Sequence, residues 1–196
     1  MKKVITFGEV MLRLKSAGFE RLLQSPTLGA TFGGGEANVA VSLAHLGLDV
    51  AFVSALPSNL IGDACIRYLR GQGVDVSHVE RVPGRMGIYF IEAGANQRPS
   101  KVVYDRADSA MAVIEPNAFP WDSIFARASW LHVTGITPAL SASAAEATLQ
   151  AVQAARAMGL TTSCDYNYRS KLWKYGMRPT DVMPEIVQHV DIGIAN

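Results

Sequence analysis

The chain is poor in the residues that hold metals, cross membranes or attract polyanions. It has two cysteines, Cys65 and Cys164, and four histidines. The cysteines lie far apart, each in an apolar run, so they read as buried free thiols in a reducing compartment, with neither a disulfide frame nor a metal ladder. His45, His78, His132 and His189 form no H-x-x-x-H pair, which leaves them core or surface roles. Eighteen basic against seventeen acidic residues leave a net charge of +1. That balance gives no electrostatic case for nucleic acid or an anionic membrane. Lys2 and Lys3 precede an apolar run that Gly8 and Glu9 interrupt, too short for a secretory signal or a membrane span. A cytoplasmic location is expected. Neither a G-x-G-x-x-G fingerprint nor a G-x-x-x-x-G-K-[ST] phosphate loop occurs.

What the chain does have is a core. Its 196 residues suit one domain, and 49% of them are apolar, too many for a disordered segment. The stretch Gly33-Gly34-Gly35-Glu36-Ala37-Asn38 stands at its centre. Three glycines lead into a run over residues 36–46 that reads as a helix, closed by Gly47. Ala37, Ala40, Val41 and Ala44 fall on one side at helical spacing. Helix-opening amides are unpaired and carry the positive end of the dipole, so backbone and the Asn38 amide are positioned to meet an oxygen-rich ligand. The plain alternative is a turn feeding a packing helix.

The remaining elements alternate. Buried strands are expected over residues 4–7, 50–54, 130–133, 160–164 and 191–195. Helices are expected over 62–72, 142–158 and 183–189, with Gly73 and Gly159 as stops. Short extended pieces fall at 11–14, 29–32 and 77–81. Residues 86–92 and 101–106 alternate polar and apolar around Gly94-Ala95-Asn96, a hairpin pattern with one wet face, standing off the main sheet. The β-α-β-α order predicts an α/β fold with a mostly parallel sheet, helices on both faces and a small second group of strands. In such sheets ligands bind beyond the strand carboxyl ends. Glu9, Ser54, Gly135, Asp165 with Asn167 and Arg169, and Asn196 fall there. Any strand must exit into something polar, and that explanation is weakest for the 165–169 cluster. Asp165 also reads as a cap for its own turn.

These residues together resemble the ribokinase-like, or PfkB, carbohydrate kinases. The likeness rests on Thr6-Phe7-Gly8-Glu9, the run from Gly33 through Asn38 to Val39-Ala40, Leu46-Gly47, Ile61-Gly62-Asp63 and Gly73-Val74-Asp75. Within the family, Gly87-Ile88-Tyr89, Tyr104-Asp105-Arg106, residues 135–140 and Asp165-Tyr166-Asn167-Tyr168-Arg169 resemble 2-keto-3-deoxygluconate kinases. The resemblance implies a three-layer α/β/α domain with a β lid drawn from residues 11–32 and 86–106, and a homodimer formed through that lid. It implies phosphoryl transfer from ATP, with Mg2+, to a sugar acid. Gly8, Glu9, Gly33, Gly34, Gly35, Asn38, Tyr89, Tyr104, Arg106, Asp165, Asn167 and Arg169 would line the sugar site, the two arginines facing the carboxylate. The plain alternatives are surface ion pairs for the arginines and packing for the tyrosines.

The resemblance covers about the first three-fifths of a family member, judged against a typical single-domain sugar kinase. The family's G-x-G-D motif, with its catalytic base, does not occur, so no catalytic residue is assigned. Its N-x-x-E motif, tied to magnesium and phosphate, would begin at Asn196. The expectation is a fragment of a longer kinase, carrying the sugar site, binding nucleotide poorly and inactive alone. A fructokinase or ribokinase of a neutral sugar, or a non-catalytic sugar-binding or dimerising protein, are the alternatives. A dehydrogenase is disfavoured, because the glycine turn does not follow the first buried strand.

Overall fold

A computed structural model describes residues 3–195; the Asn196 assignment lies outside them. Ten strands fall into two sheets. The larger holds β1 (Lys3–Phe7), β4 (Val50–Pro57), β5 (Val79–Val82), β8 (Ala128–Thr134), β9 (Thr161–Asp165) and β10 (Ile192–Ile194), in the order β10-β9-β8-β1-β4-β5. All five pairings are parallel. The chain builds outward from β1 to β4 and β5, then returns to lay down β8, β9 and β10 on its other side. Connections diverge between β1 and β8, which opens a crevice beyond their carboxyl ends.

Five helices connect the strands: α1 (Gly35–His45), α2 (Leu60–Gly71), α3 (Trp121–Phe125), α4 (Ala142–Ala157) and α5 (Pro179–Val187). Alternation along β4 assigns the two faces of the sheet. Ala51, Val53 and Ala55 join Ile5, Phe7, Leu131, Val133 and the alanine face of α4 in one core. Val50, Phe52 and Leu56 join Ala37, Ala40, Cys65 and Leu69 from α1 and α2 in the other. Phe7 packs edge-on against Phe119 and Trp121, at 5.1 and 5.0 Å between ring centroids. Full burial of such a side chain contributes about 1.5–3 kcal/mol.

Local chemistry sets the helix ends. Asn59 Oδ1 accepts the amides of Ile61 and Gly62, and Ser141 Oγ accepts that of Ala144, which satisfies donors the helices cannot. Gly47, Gly73 and Gly159 all have positive φ just past a helix. The last helix starts four residues earlier than the periodicity predicts, at Pro179, where the ring fixes a helical φ and the Arg178–Asp181 capping pair closes the turn. The short helix α3, after Pro120, has too little sequence to show a period, and its pattern had not indicated it.

The smaller sheet holds β2 (Met11–Ser16), β3 (Leu28–Gly33), β6 (Ile88–Glu92) and β7 (Lys101–Asp105), in the order β3-β2-β6-β7. Its outer pairs are antiparallel hairpins and its central seam, β2 against β6, is parallel. The alternation expected for residues 101–106 is absent: every residue of β7 is exposed, and Arg106, just past it, is buried. An edge strand with no cover on either face has no inside to alternate against.

Candidate functional site

The glycine turn sits where the two sheets meet. Gly33 ends β3, Gly34 caps α1, and Gly35 and Glu36 open the helix. A Cβ on Gly34 would run into the Glu9 carbonyl oxygen, so only glycine lets the turn lie against the β1 exit. At Gly33 a Cβ would stand 2.6 Å from the Tyr89 hydroxyl and 3.9 Å from Asn38 Oδ1. At Gly35 it would meet only the Thr134 methyl at 3.5 Å, so this third glycine is not required by space. Asn38 is exposed and its amide closes the first helical turn on the Gly34 carbonyl, at 2.9 Å. Asn38, Gly33 and Arg13 share a hollow of about 320 Å³ between the small sheet and the outer side of α1.

The crevice between β1 and β8 is filled by two carboxylates and one guanidinium. Glu9, at the β1 exit, is buried; it pairs with Arg106 and accepts the Ser109 hydroxyl. Glu36 is buried on the adjacent side. Its Oε1 accepts from Thr134 Oγ1 at 2.7 Å and from Thr137 Oγ1 at 3.2 Å. Gly8 has the space a side chain would fill taken by the Glu36 carboxyl group. Burial pushes the Glu36 carboxyl above its usual range, against the hydroxyls and Arg106, which pull it down.

The small sheet presents the aromatics. Tyr89 on β6 and Tyr104 on β7 face each other across the strands, ring centroids 6.0 Å apart. Burial raises the Tyr89 hydroxyl and the neighbouring Arg13 offsets it. The Arg106 guanidinium lies 5.7 Å from the Tyr104 ring centre. Tyr104, Arg106, Ile136, Arg169 and Lys171 then line a pocket of about 200 Å³. Arg106 is committed to Glu9, whereas Arg169 and Lys171 have no ion-pair partner among the described residues.

The residues expected at the site therefore divide. Tyr104, Arg106 and Arg169 are brought together in one pocket; Gly33, Asn38 and the Tyr89 hydroxyl are brought together next to the glycine turn. Gly8 packs against the Glu36 carboxyl group, and Glu9 is buried against Arg106. Asp165 Oδ1 accepts the Asn167 amide at 3.1 Å, the turn-capping arrangement, and Asn167 takes a positive φ. That turn carries the chain from β9 to Arg169. Sequence reasoning missed Arg13, Lys171, Thr134, Thr137 and the pairing of Glu9 with Arg106. The signal for Thr134 was present: a polar residue at the buried carboxyl end of a strand, directly after Val133.

Strand connections thus diverge around a crevice in an α/β domain, and a small aromatic sheet stands beside a cationic pocket. The sequence matches the model of the pfkB family carbohydrate kinases over residues 1–196, and the chain belongs to that family. It is 40% identical over 171 residues to a 2-dehydro-3-deoxygalactonokinase of Haloferax volcanii, covering 87% of this chain and 54% of that protein. A 2-dehydro-3-deoxygluconokinase of Bacillus subtilis is 33% identical, with 86% of this chain and 52% of that protein covered. The solved 2-dehydro-3-deoxygluconokinase of Thermotoga maritima superposes with a TM-score of 0.94 at 45% identity, over all of this chain and 60% of the other. The chain spans about half the length of the curated relatives it matches.

Proposed function

We propose that this chain supplies the acceptor side of an ATP-dependent kinase for a 2-keto-3-deoxy sugar acid, of the gluconate or galactonate type. The observation that carries the reading is the pocket in which Arg169 and Lys171, both without carboxylate partners among the described residues, lie beside Tyr104. Two uncompensated cations lining a small pocket favour an anionic ligand, and a guanidinium suits a carboxylate in two-pronged contact. Tyr89, Asn38 and the backbone around Gly33 offer donors and acceptors for the hydroxyls. The relatives' names, for kinases of just such acids, support the same choice.

In this reading the chain's residues bind and orient. Arg169 and Lys171 fix the carboxylate end, while Tyr104 and Tyr89 cover the carbon chain and bond its hydroxyls. Arg106, held by Glu9, lends its face to Tyr104 and keeps the β7 exit docked on β1. The small sheet acts as a lid that excludes water from the transferred phosphoryl group, and its exposed edge is the surface through which two copies would pair. Bound magnesium–ATP supplies the phosphoryl group. The donors here do not fit it: Glu9 and Glu36 are taken up by a guanidinium and hydroxyls, and no group of three or more metal-ligating side chains converges among the described residues.

Calorimetric titration tests the reading. The chain is expected to bind 2-keto-3-deoxygluconate more tightly than fructose, and Arg169→Ala is expected to lower the affinity for the acid about tenfold or more while leaving fructose little changed. Equal binding of acid and neutral sugar would overturn the acidic assignment in favour of a neutral-sugar kinase.

A further inference from the structure

The buried carboxylate of Glu36 touches no part of the pocket, yet it is tied to one of its walls. The Ile136 amide donates to Thr134 Oγ1 at 3.1 Å, and the Thr134 hydroxyl donates onward to Glu36 Oε1 at 2.7 Å. Ile136 lines the pocket with Tyr104, Arg106 and Arg169. Glu36 itself belongs to the first turn of α1, one residue after the glycine turn. A single hydrogen-bonded relay thus runs from the glycine turn on one side of the crevice to the pocket wall on the other. The hydroxyl is the link: it has one proton to give, and giving it to Glu36 turns its lone pairs toward the Ile136 amide.

The surroundings hold the relay in one geometry. Gly8 leaves open the space the carboxyl group fills. Thr137 adds a second hydroxyl to the same oxygen, from the turn Thr137–Ala139. Thr134 and Thr137 are buried, so neither has water as an alternative partner.

We propose that Glu36 is a positioning residue for the sugar site: through the Thr134 hydroxyl it sets the place of Ile136, and so the gap between the glycine turn and the Arg169 wall. The proposal rests on the sugar-acid reading for what the pocket holds, though the relay is a property of the chain itself. Shape alone does not account for a carboxyl group here, because an apolar side chain would leave Thr134 without its acceptor and free to rotate away from the Ile136 amide.

Four variants separate positioning from packing. Glu36→Ala and Thr134→Val remove the relay at either member, the second with little change of shape. Each is expected to weaken 2-keto-3-deoxygluconate binding about tenfold. Glu36→Gln keeps an acceptor and is expected to restore affinity to within about threefold of the parent. Thr137→Val, which leaves the Thr134 link intact, should change affinity less than Thr134→Val. The ligand-free readout is hydrogen exchange by NMR. The Ile136 amide should lose protection in Glu36→Ala and Thr134→Val and keep it in Glu36→Gln, with the β4 amides protected throughout. Unchanged Ile136 protection in Glu36→Ala would overturn the proposal, as would equal affinities across the four variants. Failure of the parent chain to bind the acid, with the exchange pattern as expected, would instead overturn the assigned ligand and leave the relay standing.

Discussion

The two sheets are built on opposite terms. Each strand of the large sheet from β1 through β4 and β8 is sealed between helices, and Leu131, Val53 and Ile5 are completely buried. The small sheet has a side chain layer on one face only, and β7 has none: Val103 is 52% exposed and Tyr104 45%. Stability therefore belongs to the large sheet. The small one contributes little fully buried apolar surface, the mark of a region of lower local stability. Tyr89 and Tyr104 sit on the small sheet, whereas Glu9, which pairs with Arg106 beside Tyr104, lies at the β1 exit of the large one.

The sharpest test of that contrast is a pair of truncations. Leu131→Ala should destabilise the chain by about 2–5 kcal/mol in denaturant unfolding, because it leaves a cavity in a dense core. Val103→Ala should fall within about 0.5 kcal/mol of the parent. Similar losses at both positions would mean that the small sheet carries part of the core. A second pair probes the junction between sheets. Gly34→Ala forces a methyl group toward the Glu9 carbonyl and should cost about 1–3 kcal/mol. Gly35→Ala, with room for the methyl in a helix's first turn, should be neutral or stabilising by up to about 1 kcal/mol.

The most gradual effect expected is in the pH dependence of the crevice. Glu36 has a folded-state pKa above its usual 4.5. The group is neutral in both states below that value, so it costs nothing there. As pH rises the unfolded chain releases the proton first, and stability falls until the folded group also ionises. The groups facing it are Arg106 and, more weakly, Cys164, with the Thr134 and Thr137 hydroxyls. Glu36→Gln removes the titration. Its stability relative to the parent should rise with pH above about 4.5, by no more than about 1.4 kcal/mol per unit. A flat difference would mean that the carboxyl group is not held in its neutral form.

Much of this fold was legible because the large sheet writes its burial directly into the chain. Mostly apolar runs at β1, β4 and β8, with glycine stops after α1, α2 and α4, leave little choice of architecture. One hairpin of the small sheet was legible, since Asn96 and its neighbours mark its turn; β2 and β3 read only as short extended pieces, and nothing local in Leu12 or Ile88 announces that they pair in parallel across the intervening residues. The site was half legible. Tyr104, Arg106 and Arg169 could be grouped by residue type, yet a sequence does not show that Arg106 is already neutralised. That fact lies in the distance between Glu9 and a residue 97 positions later. Lys171 was passed over for a similar reason, since a lysine in a loop carries no pattern of its own.

The parallel seam between β2 and β6 reaches further than its short length suggests. The chain between them contains β3, α1, β4, α2 and β5, so the two hairpins are joined through part of the large sheet. The small sheet is thus not a continuous stretch of chain that could be cut out or grafted. Its central pairing is a contact between residues distant in sequence, of the kind that slows folding.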